Sequence, residues 1–186
     1  TGVQLRDMLM GWLDGTTDTV SSMMNRSNVY PALDQIYLHL GQFGTAAGLI
    51  MPDDDHDVHV RTIDAGAYWI AEDKRGRVTT LLERIDMTLD QIVDEFGDGW
   101  TPEEIHERIK AGRNEEKLTV LHYVGRHRPD LVKDIPSNRP FISIYWLDGN
   151  TWGSNDGVLS IRSFGYNPII APRWMVNNSV YGIGCG

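Results

Sequence analysis

The chain has 186 residues, 41% of them hydrophobic, and a formal net charge of -9; that is enough for one domain with a real core or two small ones, and too apolar for a disordered segment. No run approaches the roughly 18 consecutive apolar residues of a membrane span, no signal peptide is visible, and the acidic balance argues against a tight, salt-dependent grip on nucleic acid. A single cysteine, Cys185, excludes an internal disulfide framework and a cysteine-cluster metal site.

The chain enters an amphipathic pattern at once with Val3, Leu5, Met8, Leu9, Trp12 and Leu13, and residues 3 to 43 read as helices. In VYPALDQIYLHLGQF the apolar Val29, Leu33, Ile36, Tyr37, Leu40 and Phe43 recur at three and four residues, the period of one buried helical face. Pro31 lies near its start, where a missing N–H costs nothing, Gly41 and Gly44 end it, and TAAGLIM begins a strand. AYWIAEDKRGRVTTLLERI predicts a hairpin turning at Asp73, Lys74, Arg75 and Gly76. Two short helices follow, the first capped by Thr88 with Gln91, the second by Thr101 with Pro102 at the first helical position and Glu104 completing a capping box. LTVLHYVGRH, FISIYWLDG, GVLSIRSFG and NPIIAPRWM then read as strands. The fold class is α+β, with helices and hairpin over residues 1–86 and short helices plus a strand-rich region over 87–186.

The run PDDDHDVH gathers Asp53, Asp54, Asp55, His56, Asp57 and His59. Carboxylates beside imidazoles suit a divalent cation, with Asp53, Asp55, Asp57 and His59 the candidate ligands, but the spacing is not that of an EF-hand, and a solvated acidic loop between strands is the preferred reading. No nucleophile elbow and no phosphate-binding glycine loop occurs, and His39 and His122 read as packed or surface residues. The chain is therefore expected to be neither an enzyme nor a cofactor binder. The basic cluster GRHRPDLVKD, with Arg126, His127, Arg128 and Lys133, suits a phosphate or partner contact as well as a solvated loop, Asp130 and Asp134 partly offsetting it. Trp146 and Trp152 flank a turn, and for Trp146 an interface and core packing weigh equally.

Four phrases carry a resemblance: SNVYPALDQIYLHLGQFGTAAGLI (Ser27 to Ile50), GAYWIAEDKRGRVTTLLERIDMTLDQIVDEFG (Gly66 to Gly97), LTVLHYVGRHRP (Leu118 to Pro129) and APRWMVNNSVYG (Ala171 to Gly182). Together and in this order they resemble the portal, or head-to-tail connector, proteins of tailed bacteriophages, the short-tailed type above all. Arg173, Trp174, Tyr181 and Gly182 match the family's motif, whereas Ser179 stands where the family often has an acidic residue two before the Tyr, and Ile183 and Cys185 depart from its usual continuation into Arg-Gly-Pro and a long helix.

The resemblance implies a ring, usually of about twelve subunits, at one capsid vertex of the virion. Double-stranded DNA would be packaged and ejected through it, and terminase, capsid or scaffolding proteins and tail adaptors would attach. It implies an internal fragment of a longer subunit, with residues 1–86 in the wing and the remainder toward stem and clip. Two other readings stand beside it: a non-enzymatic tail or baseplate binding module using Trp146 and Trp152, and a metal-dependent hydrolase built on the acidic loop.

Overall fold

A computed structural model describes residues 2–128, 132–133, 135–149 and 157–185. Helix α1 (Gly2–Arg26) is followed by α2 (Val29–Phe43), then β1 (Ala47–Asp53), β2 (Asp57–Ile63), β3 (Tyr68–Glu72) and β4 (Val78–Thr88). Two short helices, α3 (Leu89–Phe96) and α4 (Glu103–Lys110), precede β5 (Lys117–Arg126), β6 (Phe141–Leu147), β7 (Val158–Phe164) and β8 (Ile169–Ile170). The strands form two antiparallel sheets, one in the order β2-β1-β8 and one in the order β3-β4-β5-β6-β7.

Side-chain alternation stacks these elements in layers. Ala47, Leu49 and Ile63 of the three-stranded sheet pack on Tyr68, Ile70, Leu81 and Val124 of the five-stranded sheet. The opposite face of the smaller sheet, with Val60, Ile50 and Val58, takes the apolar stripe Val29, Ala32 and Ile36 of α2. A third cluster closes the far end of the larger sheet, where Leu89, Ile92 and Ile105 of the short helices meet Val120 and Leu159. The first two-thirds of α1 stand clear of all this, with Leu5, Met8, Leu9, Trp12 and Leu13 each about half exposed or more.

The α+β expectation holds, and the local signals explain why. Gly44 takes φ +73° at the C-cap of α2, a conformation cheap only for glycine; Gly41 does not end the helix but lies inside it. The hairpin turns where Asp73 accepts from the backbone of Arg75 and Arg77. At α3 the capping box is complete: Thr88 Oγ1 accepts from the Gln91 backbone at 3.3 Å and Gln91 Oε1 accepts from the Thr88 backbone at 2.9 Å. Thr88→Ala is expected to lower stability by about 1 kcal/mol, read as a reduced urea midpoint; an unchanged midpoint would show that tertiary packing alone fixes this helix start.

The second capping box does not form. Thr101 Oγ1 donates instead to the carbonyl of Gly97, freed at the end of α3, Pro102 takes the N-cap without a side-chain bond, and Glu104 pairs with Arg108. The last predicted strand shrinks to Ile169–Ile170 because the segment after it follows the turn between α2 and β1 instead of a neighbouring strand.

Candidate functional site

The acidic run is the tight turn between β1 and β2, as the spacing suggested. Asp53 accepts from the backbone of Asp55, Asp57 pairs with Arg26 across 2.9 Å, and His59 lies within β2, opposite Met51. Among the described residues no three His, Cys, Asp or Glu side chains converge as metal ligands do.

Register gathers the basic cluster at one end of the five-stranded sheet. Arg126 ends β5 opposite Phe141, lies 5.9 Å over that ring and sits 3.9 Å from Asp73 in the β3–β4 turn. His127 Nε2 is 2.7 Å from the Val132 carbonyl, which closes the loop on itself, and Lys133 is exposed. Arg128 is engaged by a neighbour. Trp146 is half-buried in β6, in register with Leu121 and Val158; Trp152, Asp130 and Asp134 lie outside the described residues.

The residues of APRWMVNNSVYG form a clamp. Arg173 Nη1 donates to Glu72 Oε2 at 2.7 Å and to the Val180 carbonyl at 2.8 Å, while Nη2 donates to the Gly76 carbonyl at 2.7 Å. The guanidinium thus ties the closing segment to the β3–β4 hairpin. Trp174, its side chain exposed, donates its backbone N–H to the Gly44 carbonyl, and Gly182 donates to Thr45 Oγ1 at 2.7 Å. The Tyr181 hydroxyl accepts from the Ile70 backbone at 3.3 Å. A Cβ at Gly182 would strike the Gly44 carbonyl, and one at Gly44 would strike the backbone of Ile183 and Gly184, so both glycines are required by the closeness of two backbones.

These contacts also cover strand edges. Tyr181 occupies an outward N–H of β3. Asn28 does the same for β2, its amide donating to the Val60 carbonyl at 2.7 Å and accepting from the Val60 N–H at 2.8 Å. β7 is the remaining long edge, and no described strand pairs with its outer side. An open edge of this kind is a template for another chain.

Between the apolar clusters lies a buried polar group that local motifs do not announce. Arg61 of β2 reaches across to Glu83 of β4 with both guanidinium arms, at 2.7 and 2.5 Å. His122 of β5 is fully buried, with Nδ1 3.1 Å from Arg61 Nη2 and 3.3 Å from Glu83 Oε2, and Nε2 2.8 Å from Ser143 Oγ. The Tyr145 ring stacks on the imidazole at 3.7 Å. Burial pushes the Glu83 carboxyl up, but the His122 hydrogen bond and the Arg61 fork and charge outweigh it and hold the group below its ordinary range. Burial, joined by the Arg61 charge, pushes His122 down against the pull of Glu83, and burial drives Tyr145 up to about 12.

Ser143, His122 and Glu83 have the connectivity of a hydrolytic triad, yet Ser143 is 4% exposed and His122 not at all, and Arg61 already occupies the carboxylate. So placed, the hydroxyl is shut off from a substrate carbonyl, and the group ties the two sheets together. A titratable residue at an inward-facing strand position, Glu83 between Leu81 and Ile85 and His122 between Val120 and Val124, was the signal that could have found it.

A family model described as bacteriophage head to tail connecting protein matches residues 4–186. The portal protein of Salmonella phage epsilon15 is 32% identical over 176 residues, which cover 94% of this chain and 31% of that protein. The probable portal protein of Bordetella phage BPP-1 is 33% identical over 174 residues, covering 92% and 31% respectively. The chain therefore spans 31% of the length of these two relatives.

Proposed function

Since the chain belongs to the family of bacteriophage head-to-tail connecting proteins, we propose that it is part of a portal subunit, one of about a dozen copies that ring a capsid vertex and let double-stranded DNA in during packaging and out at ejection. The observation that carries this reading is a family match running from residue 4 to residue 186, supported by two relatives that are themselves described as portal proteins. The work is passive. Its partners are further copies of itself, the passing DNA, a terminase, capsid or scaffolding proteins and a tail adaptor, and its place is the virion, after assembly in the host cytoplasm.

A closed ring needs heterologous contacts, one face of each subunit meeting a different face of the next. The open edge of β7 and the exposed apolar residues of α1 are surfaces that can serve it. Residues 1–86 fit the wing and residues 87–186 the approach to stem and clip. Arg126, His127, Arg128 and Lys133 meet a partner or the DNA backbone, Trp146 and Trp152 are further contact candidates, with Trp146 toward the opposite end of β5 and β6 from Arg126, and Arg173, Trp174, Tyr181 and Gly182 hold the closing segment in place.

Particle mass by light scattering, with negative-stain imaging, tests the reading over a range of protein concentration. Rings with a central channel are the expected result. A two-fold dimer or a strict monomer in the full-length protein would overturn it, because neither encloses a path for DNA.

A further inference from the structure

Charge is distributed unevenly over the five-stranded sheet. The described residues of the β3–β4 turn and the segment after β5, within 72–77 and 126–139, include seven Lys or Arg against two acids, Glu72 and Asp73, with Asp130 and Asp134 outside the described residues. Of those acids, Glu72 is held by Arg173 and Asp73 by Arg77. At the other end, about 30 Å away along strands of ten or eleven residues, residues 86–117 hold ten Asp or Glu against four Lys or Arg. Lys74, Arg75 and Lys133 are exposed with no side-chain partner among the described residues, and so are Asp94, Glu107 and Glu115 at the opposite end.

Each pole also carries an apolar feature, and the two are complementary. Beside the basic pole a groove is lined by Met51, Ile161, Phe164 and Tyr166 together with Arg139 and Arg162. At the acidic pole, between α3 and α4, Trp100 is 49% exposed beside Asp98. An aromatic anchor entering an apolar groove rimmed by arginines is the usual core of a protein contact. A phosphate backbone has no use for the apolar lining.

We infer that the Trp100-bearing acidic pole of one copy docks on the basic pole and groove of the next. This rests on the ring reading above and deepens it: repeated head-to-tail, the contact propagates around an axis. Made reciprocally by an antiparallel pair it would stop at a two-fold dimer, an outcome that would overturn the ring reading and keep the contact. The unpaired charges set register and encounter rate more than affinity, and Trp100 supplies the buried area.

The test uses two variants. One combines Lys74→Glu, Arg75→Glu and Lys133→Glu; the other combines Asp94→Lys, Glu107→Lys and Glu115→Lys, with circular dichroism to confirm that both fold. In sedimentation velocity each alone should associate about tenfold more slowly than the parent chain at low salt, while an equimolar mixture regains association because every junction is again oppositely charged. Trp100→Ala should weaken the mixture as well. No complex in the mixture, or parent-like association of each variant alone, overturns the inference. So does a short DNA duplex that binds the parent chain and not the first variant while the mixture stays dissociated, which assigns the basic pole to phosphate. Closed rings from both variants would leave the ring reading standing without this contact. Complexes that image as open filaments would keep the contact and remove the ring.

Discussion

Arg61→Ala is expected to lower stability by about 3–5 kcal/mol, because it strands the buried Glu83 carboxylate without its fork. The Glu83 side chain keeps only 7% of its surface exposed, so it depends on protein partners rather than solvent for its charge. Replacing the three titratable members by apolar residues, Arg61→Met with Glu83→Leu and His122→Leu, should recover part of the loss, since a buried ion pair contributes little net stability once its desolvation is counted, though the Ser143 hydroxyl then loses the His122 partner. Urea unfolding with each protein's slope measured decides the matter. If Arg61→Ala shifts the midpoint no more than a surface substitution does, the bridge between the sheets is dispensable.

The pH dependence has a definite sign. His122 is held below its ordinary range, so below about pH 6.5 the unfolded chain takes up a proton that the folded chain refuses. Stability falls as the pH drops through that window. Glu83 is also held low; its contribution is complete above about pH 4.3 and is lost as the pH falls toward its folded value. Both groups act in the same direction, and acid should loosen the two sheets from one another. In the apolar triple variant the acid slope should flatten, whereas an equally steep slope would place the titrating groups elsewhere.

How much of this was legible in the sequence depended on the distance between partners along the chain. The capping box of Thr88 and Gln91 closes over three residues, and the Asp73 turn over four, so local chemistry alone fixed both. The second capping box failed for an equally local reason: the Gly97 carbonyl, left free by the preceding helix, competed successfully for the Thr101 hydroxyl. Arg61, Glu83, His122 and Ser143 come from four strands, and nothing near any one of them announces the others. The basic loop read from Arg126 to Lys133 was found in sequence, but its Lys74 and Arg75 neighbours arrive only through the register of β3, β4 and β5. Arg173 was recognisable as a motif residue, while its three acceptors, at Glu72, Gly76 and Val180, became visible only in the folded chain.

Those acceptors make Arg173→Ala the sharper probe of the closing segment. The Arg173 side chain is 12% exposed, and its substitution removes a charge-assisted bond and two bonds to backbone carbonyls that anchor residues 171–185 on the hairpin. The effect should be local. Amide protection at Trp174, Gly182 and Ile183, whose N–H groups bond Gly44, Thr45 and Met175, should fall by roughly 30- to 1000-fold, equivalent to about 2–4 kcal/mol of opening free energy. Amides of Leu81 and Val120 in the larger sheet should keep theirs. Arg173→Lys should restore little, because one ammonium cannot span three acceptors that a planar fork reaches at once. Gly44→Val should release the same amides from the other side, through the collision with Ile183 and Gly184 and the strain of a β-branched residue at positive φ. If both substitutions leave Trp174 and Ile183 protected, the segment is held by its own Met175–Ile183 pairing and the arginine is not its anchor. If protection is lost across β4 and β5 together with the segment, the clamp is part of the global fold, and a portal subunit could not release this segment without unfolding.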